Sequence, residues 1–364
     1  MNLKMQKALP FIFLLLLFWG GLGIALSATA NLGLGVSLAA LAAAYFANGR
    51  KLNMPKGHRS YLAFLAIILI SFLVRGTGIE GQYFLTLFLA GGAFWLAFYN
   101  LEKAFGEKLI NIILGLGIAF GALFVWYLGS GYVPEGGWNL YLFSTVYRNH
   151  NHIGDLWAVV LLLGISRLFI KRKVYFWGLM GLGLYFLFVS YSRSGLLAFA
   201  VGAVYLFSRK DWTEKYRLLF ISLVVVVCGI FLATSLGKTI FFSRPYFNQA
   251  IWGIIHYPQG AGLGNFKMVS SLFEVGTYSS IVHNILLEVL VGVGWLGLVF
   301  VVWLVYTLWK VLKEAGSDKV FKAIFLALSV NFMFDSTYAI PTMVWLWFLS
   351  LGLSVKRNPG LYRP

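Results

Sequence analysis

The sequence predicts an all-α integral membrane protein. Hydrophobic residues occupy 60% of its 364 positions, charged residues only 11%, and the mean hydropathy is +0.82. A soluble domain carries about 25% charged residues, so this chain has too little polar surface to face water on all sides. Its apolar residues also fall into runs of roughly 17–25 residues, the length that a helix needs to cross a bilayer. We therefore expect a single polytopic membrane domain.

Twelve apolar runs are expected to form membrane-spanning helices. They lie at 8–26, 31–47, 60–75, 82–99, 109–128, 153–169, 174–191, 194–208, 217–234, 283–309, 323–338 and 341–355. The first run resembles a signal peptide, because lysines precede it and small residues follow it. It is long enough to span a bilayer and the next run follows at once, so residues 1–30 are expected to contain a retained first helix.

Basic residues predict the orientation of these helices. Six of the 29 Lys and Arg residues fall on one side of the twelve-span arrangement: Arg75, Arg148, Arg193, Lys238, Arg244 and Lys267. The other 23 fall on the opposite side, which the positive-inside rule assigns to the cytoplasm. The membrane is expected to be the plasma (inner) membrane of a cell. Both termini are thus expected on its cytoplasmic side. Two long loops, 129–152 and 235–282, then face outside, and loops of that length are usually functional.

The net charge of +17 does not indicate nucleic-acid binding. The basic residues form short clusters between apolar runs, without the continuous stripe that follows a phosphate backbone.

Two of the outer arginines stand in sequence contexts suited to anion binding. Arg193 lies between Ser192 and Ser194 where two apolar runs meet, and serines on both sides can line a polar pocket. An ionisable residue at membrane depth is costly unless it has a function, although an arginine reaching to lipid phosphates is the simpler alternative. Arg244 lies in the second outer loop, ahead of residues 247–256, which are expected to form a short amphipathic helix on the membrane.

Three alternating glycines follow in the same loop. Gly260, Gly262 and Gly264 would let backbone N–H groups approach a ligand closely, as in phosphate-binding loops. No strand and helix of Rossmann type flank these glycines, so a simple tight turn is the alternative.

The start of the tenth predicted span combines a histidine with a carboxylate. His283 is expected at the outer mouth, with Asn284 and Glu288 four residues apart on one helical face. A histidine at a helix start usually serves as a polar cap. Glu288, about one turn into the membrane, nevertheless needs a partner or must be neutral. Because histidine transfers protons near neutral pH, His283 is a candidate general base. Asp335, near the outer end of the eleventh span, is a second such carboxylate.

Polar residues also cluster at the start of the sixth predicted span. The run contains Asn149, His150, His152 and Asp155. His150, His152 and Asp155 could supply the three protein ligands of a catalytic zinc ion. We instead expect no metal, with these residues forming hydrogen bonds to sugar or phosphate.

These motifs, taken in order, resemble the O-antigen ligase and polymerase superfamily of lipid-linked glycan transferases. Residues 191–198 are similar to its Ser-Arg-Gly/Ser signature. Arg244, Trp252 and the stretch 258–266 are similar to its outer loop with an arginine, a tryptophan and Pro-x-Gly-x-Gly. Residues 283–297 are similar to its helix with His-Asn-x-x-Leu-Glu and a later Gly-x-x-Gly, and Asn331 with Asp335 also fits. The resemblance covers residues 145–350, whereas the first 130 residues match only as apolar spans.

The resemblance implies a function and a site. Members of the family transfer a glycan from a polyprenyl-diphosphate donor and need no cofactor. It implies that Arg193 and Arg244 bind the diphosphate together with Gly260, Gly262 and Gly264, and that His283 is the general base. The implied supporting residues are Asn284, Glu288, Asp335, Asn149, His152 and Asp155. A diphosphate leaving group needs cationic partners and an acceptor hydroxyl needs a base, so the residue types agree. The expected acceptor is a glycolipid of the lipid A-core kind.

Other functions stay open at this point. A polymerase of the same family would extend one lipid-linked glycan with another, and a protein O-oligosaccharyltransferase would use a hydroxyl on a protein. A transporter or lipid flippase would place its functional charges near the middle of the membrane. The candidate charges here lie at the predicted outer ends instead.

Overall fold

The structure, a computed structural model, describes residues 26–75, 78–101, 112, 114–115, 150–171, 174–190, 192–208, 245–273, 279–313 and 318–355. Over these residues the chain is helical and contains no β-strand, as predicted. The helices are α1 (Leu26–Ala47), α2 (His58–Arg75), α3 (Gly78–Asn100), α4 (His150–Lys171), α5 (Val174–Val189), α6 (Arg193–Phe207), α7 (Pro245–His256), α8 (Phe266–Ser270), α9 (Ile285–Val293), α10 (Leu298–Lys313), α11 (Lys319–Asn331) and α12 (Pro341–Ser354). Two 3₁₀ turns, Gly294–Gly297 and Ser336–Ala339, complete the elements.

Four helical segments among the described residues are long and apolar enough to cross a membrane. They are Ala30–Ala47, His58–Arg75, Gly78–Asn100 and Ile285–Lys313. Shorter apolar helices occupy Gly154–Ser166, Trp177–Phe188, Arg193–Phe207 and Pro341–Ser354. The ninth predicted span, and nearly all of the first and fifth, lie outside the described residues. The question of a retained first helix lies there too.

Two of the predicted spans differ from the helices that form. The tenth is divided between α9 and α10, because Gly294 adopts a left-handed φ of 71° and starts a 3₁₀ turn. The eleventh, predicted to reach residue 338, ends at Asn331. Asp335 interrupts it, since its side chain caps the 3₁₀ turn that follows by accepting the N–H of Ser336. The predicted helix at 247–256 is present as α7.

Helix α12 forms the centre of the bundle. Nearly all of its residues are buried, and an apolar surface on every side is typical of a helix surrounded by others. It packs against α3, α11 and α1. A Cβ atom at Gly33 would lie 1.9 Å from the Trp345 ring, and one at Gly91 would lie 2.3 Å from the Phe348 ring. Small residues thus let large rings of α12 approach neighbouring helices closely.

Contacts between distant helices group their ends at two poles. At one pole, Arg75 donates to Gln259 at 3.1 Å and the Tyr83 hydroxyl donates to the carbonyl of Ala339. We call this pole the site end. At the opposite pole, the Asn100 carbonyl accepts from the amide of Asn48 at 2.9 Å.

Candidate active site

A buried polar cluster at the site end joins two carboxylates that lie 180 residues apart in the sequence. Asp155 of α4 and Asp335 are each 1% exposed. The Ser194 hydroxyl lies 2.9 Å from Oδ2 of Asp335 and 3.3 Å from Oδ1 of Asp155, so one side chain bridges the two acids. Ser192 and Thr337 donate to the two oxygens of Asp155 at 3.0 and 2.9 Å. Buried acids are tolerated only when hydroxyl or amide donors surround them in this way.

The start of α6 explains how the serines reach these acids. Ser192 is the N-cap residue, and its Oγ accepts the backbone N–H of Gly195 at 3.0 Å. A Cβ atom at Gly195 would lie 2.8 Å from the carbonyl carbon of Gly154, so a glycine is needed where α6 meets α4. The Ser-Arg-Ser-Gly sequence therefore combines a helix cap, two ligands for carboxylates and a close helix contact. That these serines line a pocket for a ligand stays a prediction.

Arg193 is the first residue of α6 and is half-buried. It stands between the two serines that contact Asp155 and Asp335. The N-terminus of a helix carries a partial positive charge, which adds to the attraction of this position for anions. The arginine and the buried acids are thus held at the same point of the fold.

His283 lies beside the carboxylate pair in an unusual backbone conformation. Its φ of 61° falls in the left-handed region, which residues other than glycine rarely adopt. Its Nδ1 atom is 4.0 Å from Oδ1 of Asp335, and its ring stacks on Tyr246 of α7 with centroids 5.1 Å apart. The side chain is 24% exposed. Residues in such conformations are strained and concentrate at functional sites, where their surroundings fix them.

Hydrogen bonds to the segment after α11 fix the turn that carries His283. Asn284 caps α9 by accepting the N–H groups of Leu286 and Leu287, and its own amide donates to the carbonyl of Met333 at 2.9 Å. The N–H of Ile285 donates to the carbonyl of Phe332 at 2.9 Å. The expected placement of Asn284 on a helical face with Glu288 is therefore wrong. The helix begins at Ile285, and the polar cap is Asn284 rather than His283.

Glu288 is a buried carboxylate that accepts hydrogen bonds from two donors. Its side chain is 2% exposed, and its Oε2 accepts the backbone N–H of Val282 at 3.0 Å and the hydroxyl of Tyr338 at 2.9 Å. The carboxylate thus links the residue before His283 to the 3₁₀ turn that follows Asp335. Its role in the described structure is to stabilise the turn that carries His283.

We expect Tyr338→Phe to lower the free energy of unfolding by about 1–3 kcal/mol, because a buried carboxylate loses one of two donors. Thermal or denaturant unfolding of the detergent-solubilised protein measures this loss. Tyr246→Phe serves as the matched control, since that hydroxyl belongs to a half-buried side chain with no bond to Glu288. Equal stability of the two variants would show that the Glu288 contact does not hold the turn.

The three glycines of the outer loop have a clear structural role. Gly260, Gly262 and Gly264 all have positive φ, at 85°, 100° and 79°. The N–H groups of Ala261 and Gly262 donate to the carbonyls of Val291 and Gly292 at 2.8 and 2.9 Å, at the end of α9. The described conformation is a tight turn packed on that helix, which was the alternative interpretation. Binding of a diphosphate by these glycines stays a prediction.

The remaining predicted site residues are only partly described. Arg244 and Asn149 lie outside the described residues. His150 and His152 belong to the first turn of α4, but their side chains lie outside the described part of the chain. The zinc alternative depends on those two side chains and stays open to experiment.

Sequence reasoning missed Thr337 and Tyr338, which bind Asp155 and Glu288. Both were assigned to the end of the eleventh span. A signal was present, because a Ser-Thr-Tyr triplet directly after an acid is unusual inside an apolar helix and favours a turn.

No known family matches this sequence, and neither does any curated protein.

Proposed function

We propose that this protein is a membrane glycosyltransferase that moves a glycan from a polyprenyl-diphosphate donor to an acceptor hydroxyl at the outer face. The observation that carries the proposal is the convergence of His283, Asp335 and the Ser194 bridge at one end of the bundle. Arg193 stands next to that bridge. A base and an anion-binding arginine are the groups that such a transfer needs.

The chemistry requires one proton acceptor and cations for the leaving group. His283 removes the proton of the acceptor hydroxyl as its oxygen attacks the anomeric carbon. The bond from that carbon to the diphosphate oxygen breaks on the opposite side, so the configuration inverts. Arg193 and Arg244 bind the departing diphosphate, whose charge calls for guanidinium groups rather than a proton donor. The two arginines take the place of a divalent cation, so we propose a metal-independent reaction.

The proposed orientation has twelve spans, cytoplasmic termini and the site end outside. Lys310 and Lys313 at the opposite pole lie 4.8 and 4.4 Å from the Trp309 ring centroid, an aromatic and basic pairing typical of a membrane interface. At the site end, Ile251 and Ile255 of α7 are exposed, which suits a helix lying on the outer leaflet.

Cysteine labelling tests this orientation. In a background with Cys228 replaced by serine, Ser280→Cys is expected to react with a membrane-impermeant maleimide added to intact cells. Lys56→Cys, at an equally exposed position of the other pole, should react only after permeabilisation. The reverse pattern would place the site end in the cytoplasm and remove the basis for transfer outside.

The activity itself is tested by reconstitution. Purified protein in liposomes is given a polyprenyl-diphosphate oligosaccharide and a glycolipid acceptor, with and without strong chelator. We expect glycan on the acceptor in both cases. Longer lipid-linked glycan without transfer to the glycolipid would identify a polymerase instead, and transfer to an added protein would identify an oligosaccharyltransferase. Loss of activity with chelator and recovery with zinc would favour the His150, His152 and Asp155 site. No product from any acceptor, with movement of labelled lipid across the bilayer, would support a flippase.

A further inference from the structure

We propose that Asp335 is the positioning residue for His283, and that Asp155 fixes Asp335 through the Ser194 hydroxyl. The proposal rests on the proposed function in assigning His283 as the base. In this proposal, the buried carboxylate pair determines which nitrogen of the His283 imidazole carries the proton. The donor and acceptor chemistry leaves both acids without a role.

The carboxylate of Asp335 lies nearest to the Nδ1 atom of the His283 ring. Oδ1 of Asp335 is 4.0 Å from Nδ1 of His283, and about 1 Å of side-chain movement would bring them within hydrogen-bond distance. Catalytic hydrogen bonds are often longer before substrate binds. A carboxylate facing Nδ1 favours the tautomer with its proton there, which leaves Nε2 free to take the proton of a substrate.

Asp335 itself is held from several sides. Oδ2 accepts from Ser194 at 2.9 Å, and Oδ1 accepts the N–H of Ser336. Ser194 also lies 3.3 Å from Asp155, which Ser192 and Thr337 bind in turn. Two acids bridged by one hydroxyl are costly to bury, and a helical bundle does not require them for packing. An arrangement that costs stability yet fixes one acid against a strained histidine indicates a functional purpose.

Several titratable or charged groups lie on the elements that meet near His283 in the described part of the chain. Tyr246 of α7 stacks on the ring. Asp335 faces Nδ1, and Glu288 of α9 bonds the N–H of the preceding residue. Arg193 opens α6 next to Ser194, and Tyr338 bonds Glu288. Of these groups, Asp335 is the acid directed at the ring, so it should have the largest effect on the tautomer.

Nitrogen-15 NMR of histidine-labelled protein in detergent tests the inference without any substrate. The chain has five histidines, and His283→Asn identifies the signal of His283. The wild-type protein is expected to show the Nδ1–H tautomer at alkaline pH. Asp335→Asn should convert it to a mixture or to the Nε2–H form, because an amide can donate to Nδ1 as well as accept from it. An unchanged tautomer in Asp335→Asn overturns the proposal, whether or not the protein transfers glycan.

The kinetic arm uses the reconstituted transfer reaction. Asp335→Asn is expected to lower kcat by about 10²-fold, the cost of misplacing a reacting group by roughly 1 Å, with the donor KM unchanged. The acid limb of its pH profile should move to lower pH, because loss of a nearby negative charge disfavours the imidazolium. Asp335→Glu should restore part of kcat, and Asp155→Asn should cost less than Asp335→Asn. A lower yield of folded protein with an unshifted acid limb would mean that Asp335 is only structural. Wild-type protein inactive with every donor and acceptor would defeat the proposed function, while the NMR result would still decide the tautomer.

Discussion

His283→Asn is expected to lower the rate of glycan transfer by about 10²–10⁴, the usual cost of losing a general base. Asparagine adopts the left-handed backbone conformation more readily than most residues, so it preserves the turn at φ 61°. It cannot take a proton, so only the chemistry is removed. Transfer is measured as product formed per unit time in liposomes, with saturating donor.

Two further variants separate the base from the backbone conformation. His283→Gly keeps the backbone and removes the side chain, so it should be as inactive as His283→Asn and as stable as the wild type. His283→Gln keeps a hydrogen-bonding side chain, yet glutamine is less suited to the left-handed region and should lower stability as well. Near-normal rates in the asparagine variant, with the wild-type acid limb retained, would show that His283 orients the acceptor and that another group is the base.

Within the described residues, the positions of most helices could be predicted from the sequence, because they depend on local composition. Apolar runs define α2, α3 and α12 within a few residues, since a helix in lipid must continue until its backbone reaches polar surroundings. The candidate residues His283 and Arg193 could be found in the same way, as ionisable groups at the ends of apolar runs. Local composition also indicated that Glu288 would need a partner.

The contacts that build the site could not be predicted in this way, because they join segments far apart in the chain. Asp155 and Asp335 meet through Ser194 only once α4, α6 and the segment after α11 have packed. The sequence around Asp155 or Asp335 does not indicate that the two residues are in contact. The break at Gly294 and the left-handed His283 were missed for a related reason. Each results from hydrogen bonds to another segment, such as the bond from Ile285 to Phe332.

The polar residues of the site lie at helix ends and in an irregular segment, where distant parts of the chain meet. The site is assembled from the starts of α4, α6 and α9 and from the irregular stretch 331–340. Irregular backbone at membrane depth is tolerated only where protein or water satisfies its polar groups. Two backbone carbonyls of the stretch 331–340 are satisfied in this way, since those of Met333 and Phe332 accept from Asn284 and Ile285. The turn bearing the histidine and the segment bearing the acid therefore stabilise each other.

Arg193→Ala is expected to lower transfer by about 10³-fold or more, the lower end of the effect of a single arginine on a reacting phosphate group. The protein should still fold, because Ser192 supplies the helix cap and both Ser192 and Ser194 bind the buried acids. Arg193→Lys should recover little of the loss, since an ammonium group cannot form the paired bonds of a guanidinium. Arg244→Ala should behave in the same way if both arginines bind the diphosphate.

The choice of control decides how the Arg193 result is interpreted. Lys267→Ala removes the same charge from an exposed position of α8 at the site end, and it should keep transfer within a few-fold of wild type. Binding of a labelled polyprenyl diphosphate distinguishes a donor role from a structural one. It should weaken in Arg193→Ala and stay unchanged in His283→Asn, because a base that acts on the acceptor contributes little to donor affinity. Wild-type rates in both Arg193→Ala and Arg244→Ala would mean that these arginines only anchor the chain in lipid headgroups, and the diphosphate would then need a different binding site.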